Sequence, residues 1–376
     1  MPHSWEEIQK HWLLNQVLPY EPMEVVEAFN EVESVLGLDL NAATHIARGL
    51  WVAIPIIELG RLLKVIKEIP NNATLIQKIK DNNPFQAFRI TKRTINPTYK
   101  KTDSAAEYSH AIQVAQLAAH YRRHSMKVEI EPELIVNGRK KAPDLRVEIN
   151  SNWVYVEVVS PNFSEQVQES YQILARISDI TRDLKPDTLV EVYLFRDPSE
   201  EEILLVIEKC KEVANDFSMQ EIDFDGLAKI YVSSNNEERL PHFAPAMQEK
   251  RPILVMIGFR QTNENGIVHS SRVIAKIPIT DERAQTILSD KSRQLSRTDP
   301  GVIVIDVSDV PSGFKRWPYL ISNRLQPNLN RRITAVLVVE NHVSGNRMTT
   351  AKKLIKHPNP LHQLPEFFFD VTSSTS

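Results

Sequence analysis

The spacing of apolar residues along the chain changes from a helical period to a strand period. Residues 1–83 show the helical period, visible in Ile54, Ile57, Leu62 and Ile66, and prolines and asparagines separate the segments. This part of the chain is therefore predicted to be entirely helical. Residues 89–101 follow, with five Lys or Arg side chains and no acid. That composition, together with Pro97, is typical of a loop or linker.

The strand period begins after one long amphipathic helix, predicted from Ser104 to about His124. The inward face of this helix is rich in alanine, and small side chains allow close packing against a sheet. Strand patterns follow at Lys127–Val136 and Arg139–Ile149. Asn137-Gly138 lies between them and is a strong signal for a tight hairpin turn.

Strand and helix patterns alternate through the rest of the chain. The further strand patterns are Leu189–Phe195, Ala228–Val232, Ile253–Phe259, Val273–Ile277, Val302–Val307 and Ile333–Val339, and the helical patterns are Ser164–Leu184, Ser199–Phe217, Asp281–Leu295 and Lys315–Leu325. This alternation predicts an α/β fold with a mixed central sheet flanked by helices. We therefore predict a helical N-terminal region with its basic linker at residues 1–100. An α/β domain with a C-terminal extension of the sheet would span residues 101–376.

The hairpin at residues 142–159 places two acids in strand positions that usually hold β-branched or aromatic residues. A two-residue turn at Asn150-Ser151 sets Asp144 opposite Glu157. The alternation supports this register, since a slip of one residue would mix the acids into the apolar face. Directly opposed residues have Cβ atoms roughly 4.5–5.5 Å apart. Two carboxylates at that distance repel one another unless a cation, such as a hard divalent metal, lies between them.

A third acid joins the row if the preceding hairpin pairs across Asn137-Gly138. That pairing sets Glu131 opposite Asp144, so that Glu131, Asp144 and Glu157 would lie on three neighbouring strands. Pro132 weakens this prediction, because proline favours the edges and bulges of sheets.

The order of a helix, a strand, a Pro143-Asp144 strand and a strand with Glu157 resembles the PD-(D/E)XK nuclease superfamily, over roughly residues 104–195. The resemblance implies a restriction-endonuclease-like fold in which Asp144 and Glu157 bind Mg²⁺ or Mn²⁺, with the Val158 carbonyl as a further ligand. It also implies that an acid on the first helix, here Glu107, sometimes completes the metal site. Such a metal polarises a phosphodiester and lowers the pKa of a bound water.

One position departs from the family pattern. The family has a lysine two positions after the second acid, which helps to position or activate the attacking water, and this chain has Val159 there. Lys141, with Lys140 beside it, lies just upstream of Asp144 and is the preferred replacement.

Two further replacements stay open. Gln168 or Gln172 on the next helix would orient a water, and Lys291 in the segment DKSRQL would supply the amine from a distant part of the chain. His110, three residues after Glu107, is interpreted as a surface or core histidine rather than as a ligand.

The composition limits the other classes of function. The formal net charge is −3, so nucleic acid would have to bind at local basic groups. Three such groups flank the predicted core: residues 89–101; Arg122, Arg123 and Lys127; and Arg139, Lys140 and Lys141. Ordinary surface charge is the alternative interpretation of each group. The glycine-rich loops that hold nucleotides are absent from the sequence.

The single cysteine, Cys210, excludes an intrachain disulfide and a zinc site built on cysteines, in keeping with a cytoplasmic location. The most apolar stretch, residues 49–66, is interrupted by Pro55 and by charges, so a buried helix is expected there rather than a membrane helix.

The favoured hypothesis is a metal-dependent nuclease that hydrolyses phosphodiester bonds, of DNA rather than RNA. Asp144 and Glu157 would hold the metal, with Glu107 as a third acid and Lys141 in the catalytic role of the missing lysine. The alternative is an inactive protein of the same fold that binds nucleic acid or a protein partner without cutting. A homodimer remains an open form of assembly.

Overall fold

The structure is a computed structural model that describes residues 3–12, 19–40, 50–83, 103–136, 139–161, 164–215, 220–224, 226–234, 252–262, 268–278, 281–308, 310, 313–344, 347–365 and 368. It confirms the predicted α/β class, with mixed sheets flanked by helices. The helices are α1 (Trp5–His11), α2 (Pro22–Leu36), α3 (Leu50–Ile66), α4 (Ala73–Asn82), α5 (Asp103–Arg123), α6 (Glu165–Ser178), α7 (Glu200–Asn215), α8 (Ala284–Ser292) and α9 (Gly313–Arg324).

The strands of the described residues form two larger sheets and one short hairpin. They are β1 (Lys127–Ile130), β2 (Leu134–Val136), β3 (Arg139–Lys141), β4 (Leu145–Ile149), β5 (Asn152–Val159), β6 (Thr188–Leu194), β7 (Gln220–Phe224), β8 (Ala228–Ser234), β9 (Pro252–Thr262), β10 (Val268–Pro278), β11 (Gly301–Asp306), β12 (Ile333–Ser344) and β13 (Arg347–Lys356).

The first sheet has six strands in the order β1-β4-β5-β11-β12-β13. Its centre is parallel, because β11 runs parallel to both β5 and β12, while the outer pairs are antiparallel. The alternation of side chains in β5 and β11 divides the residues between the two faces of the sheet. Val156, Val158 and Val304 belong to the core under α5, while Ile303 and Ile305 belong to the core under α8 and α9.

The N-terminal helices extend the core on the α5 face. Phe29 of α2 and Leu63 of α3 lie in the same buried cluster as Ala115 of α5 and Val147 of β4. The helical region predicted for residues 1–83 therefore packs against the sheet through α5. The predicted boundary near residue 100 lies outside the described residues.

The second sheet has the order β7-β8-β6-β10-β9 and lies between β5 and β11 in the sequence. Helices α6 and α7 cover one of its faces, where Leu174 and Cys210 pack against Val192 and Ala275. The sequence predicted one central sheet, and this separate sheet is the main departure from that expectation. Apolar alternation shows that a strand has a buried face, but it does not show which sheet the strand joins.

Local departures from the predicted elements have local causes. The strand predicted at Lys127–Val136 is divided into β1 and β2, because Glu131 adopts a left-handed φ of 45°. The strand predicted at Arg139–Ile149 is likewise divided into β3 and β4. The helix predicted at Ser164–Leu184 is shorter in the structure, where α6 spans Glu165–Ser178. Among the described residues, no helix is sufficiently long and hydrophobic to cross a bilayer.

Candidate active site

Asp144, the residue before β4, lies opposite Glu157 of β5. The pairing of β4 with β5 matches Ile149 with Asn152 and Leu145 with Val156, so the next residues in register are Asp144 and Glu157. The predicted hairpin register is therefore confirmed. Asn150 and Ser151 both have left-handed φ angles, of 50° and 64°, as a tight type I′ turn requires.

Glu157 is a buried acid in the middle of the sheet. It is only 2% exposed and neighbours Ile303 of β11, so its side chain lies on the α8 face. Burial, followed by the negative charge of Asp144, raises the pKa of Glu157 to about 7. The nearby Lys291 opposes this rise without cancelling it.

Lys291 supplies a cation to this acid from the last turn of α8. Its Nζ donates to Glu157 Oε2 at 3.3 Å and to Gln294 Oε1 at 3.3 Å. Helix α8 is held on the sheet by Ala284 and Leu288, which are buried against β11. The structure thus places Lys291, one of the replacements considered for the missing lysine, in contact with a predicted site acid.

Asp144 has a donor on each of its carboxylate oxygens. The backbone N–H of Val158 donates to Oδ2 at 2.7 Å, and Nε2 of His110 lies 3.2 Å from Oδ1. Burial alone would raise the pKa of Asp144, but His110, Val158 N–H and Lys291 together lower it below its usual range. The two acids thus differ in pKa. The surroundings of Asp144 favour its ionised carboxylate, whereas those of Glu157 favour its protonated, uncharged form.

The helix α5 brings a histidine to the site where a glutamate was predicted. His110 is half-buried and contacts Asp144, while Glu107, one turn earlier, is exposed. One turn after His110, the buried Gln113 donates from Nε2 to Asp306 Oδ2 at 2.9 Å, at the carboxyl end of β11. The sequence interpretation of His110 as an ordinary surface or core residue missed this contact.

The other candidates for the lysine and metal roles are described only in part. The side chains of Lys140 and Lys141, in β3, are outside the described residues. Gln168 is half-buried and Gln172 exposed on α6, which packs on the second sheet. The backbone of Glu131 pairs with Asp144 as predicted, but its carboxylate bonds to Lys78 at 2.5 Å.

The predicted basic groups are only partly described. Residues 89–101, and the side chains of residues 139–141, lie outside the described residues. Arg122 and Arg123 are exposed at the end of α5. Lys127 lies within 4.0 Å of both Glu129 and Glu148 and over the ring of Trp153, so this lysine has structural partners.

The carboxylate oxygens of Asp144 and Glu157 are donors of the kind that binds Mg²⁺. Mg²⁺ is usually held by one or two protein carboxylates, with water and substrate phosphate as the other ligands. Asp144 and Glu157 are the two carboxylates here that could hold such an ion. Within the described ranges there is no cluster of three or more His, Cys, Asp or Glu side chains placed to hold a metal.

No family model matches this chain, and no curated protein is detectably similar to it.

Proposed function

We propose that this chain is a metal-dependent nuclease of the PD-(D/E)XK type that hydrolyses phosphodiester bonds in DNA. The observation that supports the proposal best is the group of Asp144, Glu157 and Lys291, in which Lys291 Nζ lies 3.3 Å from Glu157 Oε2. Two strand acids and one lysine are the chemical groups that the sequence motif implies. Here the lysine comes from a later helix instead of from position 159.

Asp144 and Glu157 would hold Mg²⁺ or Mn²⁺. When bound, such an ion polarises the phosphodiester and lowers the pKa of a coordinated water. The buried position of Glu157 and the neighbouring charge of Asp144 give a reason for a cation to bind, because both raise the free energy of the ionised Glu157. Lys291 relieves part of that cost in the absence of metal.

Lys291 has the role of positioning the attacking water and stabilising negative charge on the phosphate. An ammonium group has three donors and no acceptor, so it can bond Glu157 and a water or phosphate oxygen together. Asp144 contacts His110 and the Val158 N–H, and Lys291 contacts Gln294. These three contacts fix the groups of the site before substrate binds. This pre-organisation is what electrostatic catalysis requires.

The test is cleavage of plasmid and single-stranded DNA by the full chain with Mg²⁺ or Mn²⁺, compared with Asp144→Asn and Glu157→Gln. Both variants keep the shape of the side chain and remove a charge. Glu148→Gln is the matched control. Glu148 lies on β4, the strand that follows Asp144, and contacts Lys127. We expect cleavage in the wild type and in Glu148→Gln only; cleavage that survives in both site variants would exclude these acids from catalysis.

A second candidate function is favoured by the contacts of Asp144. Both of its oxygens already accept bonds, from His110 and from Val158 N–H, which suits a structural acid in an inactive nuclease fold. Such a protein would bind nucleic acid or a protein partner without cutting. It would give no cleavage with either metal, and no rise in thermal midpoint on addition of Mg²⁺ or Mn²⁺.

A further inference from the structure

One side of α9 is exposed and carries cationic, aromatic and amide groups. Lys315, Tyr319 and Asn323 are each four residues apart, so they lie on one side of the helix. Tyr319 is 68% exposed, although large aromatic side chains usually bury much of their surface. The opposite side of α9 packs into the core through Trp317 and Ile321. The exposed tyrosine is therefore not needed to hold the helix in place.

The segment that contains α9 is far more basic than the rest of the chain. Residues 310–365 include nine Lys or Arg residues and one acid, Glu340, in a protein whose formal net charge is −3. Glu340 is buried, so it does not neutralise the helix surface. Such a local excess of positive charge favours a polyanionic partner.

Part of this charge has another explanation. Lys352, Lys353 and Lys356 lie on β13, at the edge of the first sheet. Lysines on an edge strand discourage pairing with other chains, so they do not by themselves indicate a ligand. Helix α9 has no such edge, so this explanation does not extend to Lys315, which is exposed on it.

The helix is attached to the element that carries the site lysine. Trp317 Nε1 donates to the carbonyl of Asp281 at 2.7 Å, and Arg316 forms an ion pair with Glu282, just before α8. Helices α8 and α9 cover the same face of the sheet as Glu157. A strand bound along α9 would thus lie on the side of the molecule where Lys291 contacts Glu157.

Positive charge continues beyond the C-terminal end of α9. Arg324 is exposed in its last turn, and Arg331 and Arg332 follow before β12. Burial, and then the charge of the nearby Arg297, lowers the pKa of Arg332.

We propose that the exposed face of α9 binds the phosphate backbone of nucleic acid and guides it toward the Asp144–Glu157 site. Lys315 contacts a phosphate, and Tyr319, on the same side of the helix, packs on a base or sugar. Lys315 to Asn323 spans roughly 12 Å of helix at about 1.5 Å per residue. One strand of a duplex presents about three or four phosphates over that length. The inference rests on the proposed function for its substrate, and adds the surface that holds it.

The experiment measures binding apart from cleavage. The full chain is titrated into a fluorescein-labelled duplex, and into its single strand, in EDTA, and anisotropy is recorded between 50 and 200 mM salt. We expect Lys315→Gln to weaken binding and to reduce the salt slope by about 1, for the one lost phosphate contact. Tyr319→Ala should also weaken binding at least about fivefold, from lost stacking.

The matched control removes one charge from another helix. Lys211→Gln on α7, which packs on the second sheet, should bind like the wild type. All substituted side chains are at least partly exposed, and circular dichroism of each variant checks the fold.

The outcomes separate this inference from the proposed function. Unchanged binding by the α9 variants, equal weakening by the α7 control, or no binding by the wild type would overturn the α9 surface, whatever the cleavage result. Loss of binding confined to the α9 variants supports it. If that loss is seen but the wild type does not cleave with Mg²⁺ or Mn²⁺, the nuclease proposal fails and the binding surface stands.

Discussion

Lys291 Nζ lies 3.3 Å from Glu157 Oε2, although the two residues are 134 positions apart in the sequence. The intervening chain forms α6, α7 and the second sheet, and then returns through α8 to the face of the first sheet that carries Glu157. The fold thus places an ammonium group from a separate helix next to Glu157. The motif position on the strand of Glu157 itself is occupied by Val159. The site is assembled from β5 and α8 rather than from one hairpin.

This relationship predicts a large effect of removing the ammonium group. Lys291→Ala should lower the single-turnover rate of DNA cleavage by roughly 10²–10⁴-fold, the usual contribution of a positioned proton-transfer or charge-stabilising group. The reason is that Lys291 is the amine in contact with Glu157. The rate is measured with excess enzyme at saturating Mg²⁺, so that weaker substrate binding does not account for the change.

Lys141→Ala is the control for this prediction, since Lys141 was the lysine preferred from the sequence. It should cleave within a few-fold of the wild type. A large loss in Lys141→Ala combined with normal cleavage by Lys291→Ala would show that the hairpin lysine has the catalytic role instead.

The raised pKa of Glu157 predicts a specific pH dependence of stability. Its pKa is about 7 in the folded protein, against an ordinary value of 4.5. Between these values the folded state binds the extra proton, so stability falls as the pH rises from 4.5 through 7. Glu157→Gln removes the cost of the ionised buried acid, and should raise stability at pH 8 by about 2–3 kcal/mol, at about 1.4 kcal/mol per pKa unit.

The measurement is the thermal midpoint of both proteins in EDTA at several pH values. The gain of Glu157→Gln should be largest at pH 8 and should disappear near pH 4, where Glu157 is neutral in both states. Glu148→Gln should show no such pattern, because Glu148 is half-buried and bonded to Lys127. A Glu157→Gln protein less stable than the wild type at pH 8 would contradict the cost of ionising Glu157, which comes first from its burial and then from the charge of Asp144.

A third prediction concerns the anchoring of α5. Gln113 is 5% exposed, and it donates to Asp306, which is 8% exposed. Gln113→Leu removes a donor from a buried carboxylate and should destabilise the protein by about 1.5–3 kcal/mol, the range for hydrogen bonds to charged groups. Urea denaturation gives the change; Gln116→Leu, three residues later on the same helix and half-buried, should cost less than about 0.5 kcal/mol. Equal effects at both positions would mean that the bond to Asp306 contributes little.

Local parts of the site were predictable from the sequence. The register of the Asp144–Glu157 hairpin follows from a two-residue turn and from period-2 alternation, and both act within about 20 residues. The pairing of the Glu131 backbone with Asp144 follows from Asn137-Gly138 for the same reason. The side chain of Glu131 was not predictable, since Lys78 reaches it from α4.

Long-range contacts were not predictable from patterns of this kind. The periodicity of α5 showed which side faces the sheet, but it did not show that His110, rather than Glu107, meets the end of β4. The contact of Lys291 with Glu157 was unpredictable for the same reason. The position of α8 depends on the second sheet, which lies between these two residues in the sequence. Strand β13 was missed because Lys352 and Lys353 are adjacent, and neighbouring charges hide the alternation of an edge strand.

The last prediction tests the packing of the N-terminal helices behind α5. Gly60 of α3 lies against the backbone of Ala28 in α2: a Cβ at position 60 would be 2.3 Å from the Ala28 carbonyl oxygen and 2.5 Å from its Cα. Backbone atoms cannot move aside as a flexible side chain can, so the two helices would have to separate. Gly60→Ala should therefore destabilise the protein by about 1–3 kcal/mol, although alanine normally stabilises a helix interior by about 0.5–1 kcal/mol relative to glycine.

Gly37→Ala is the comparison that identifies the cause. Gly37 ends α2 with a φ of 63° and has open space around it, so alanine there should cost about 1–2 kcal/mol through left-handed strain alone. Gly60→Val should be much worse than Gly60→Ala, because the clash grows with side-chain size. Urea denaturation of the variants measures these differences. A Gly60→Ala protein that is as stable as the wild type, or more stable, would show that α2 and α3 are not in close backbone contact.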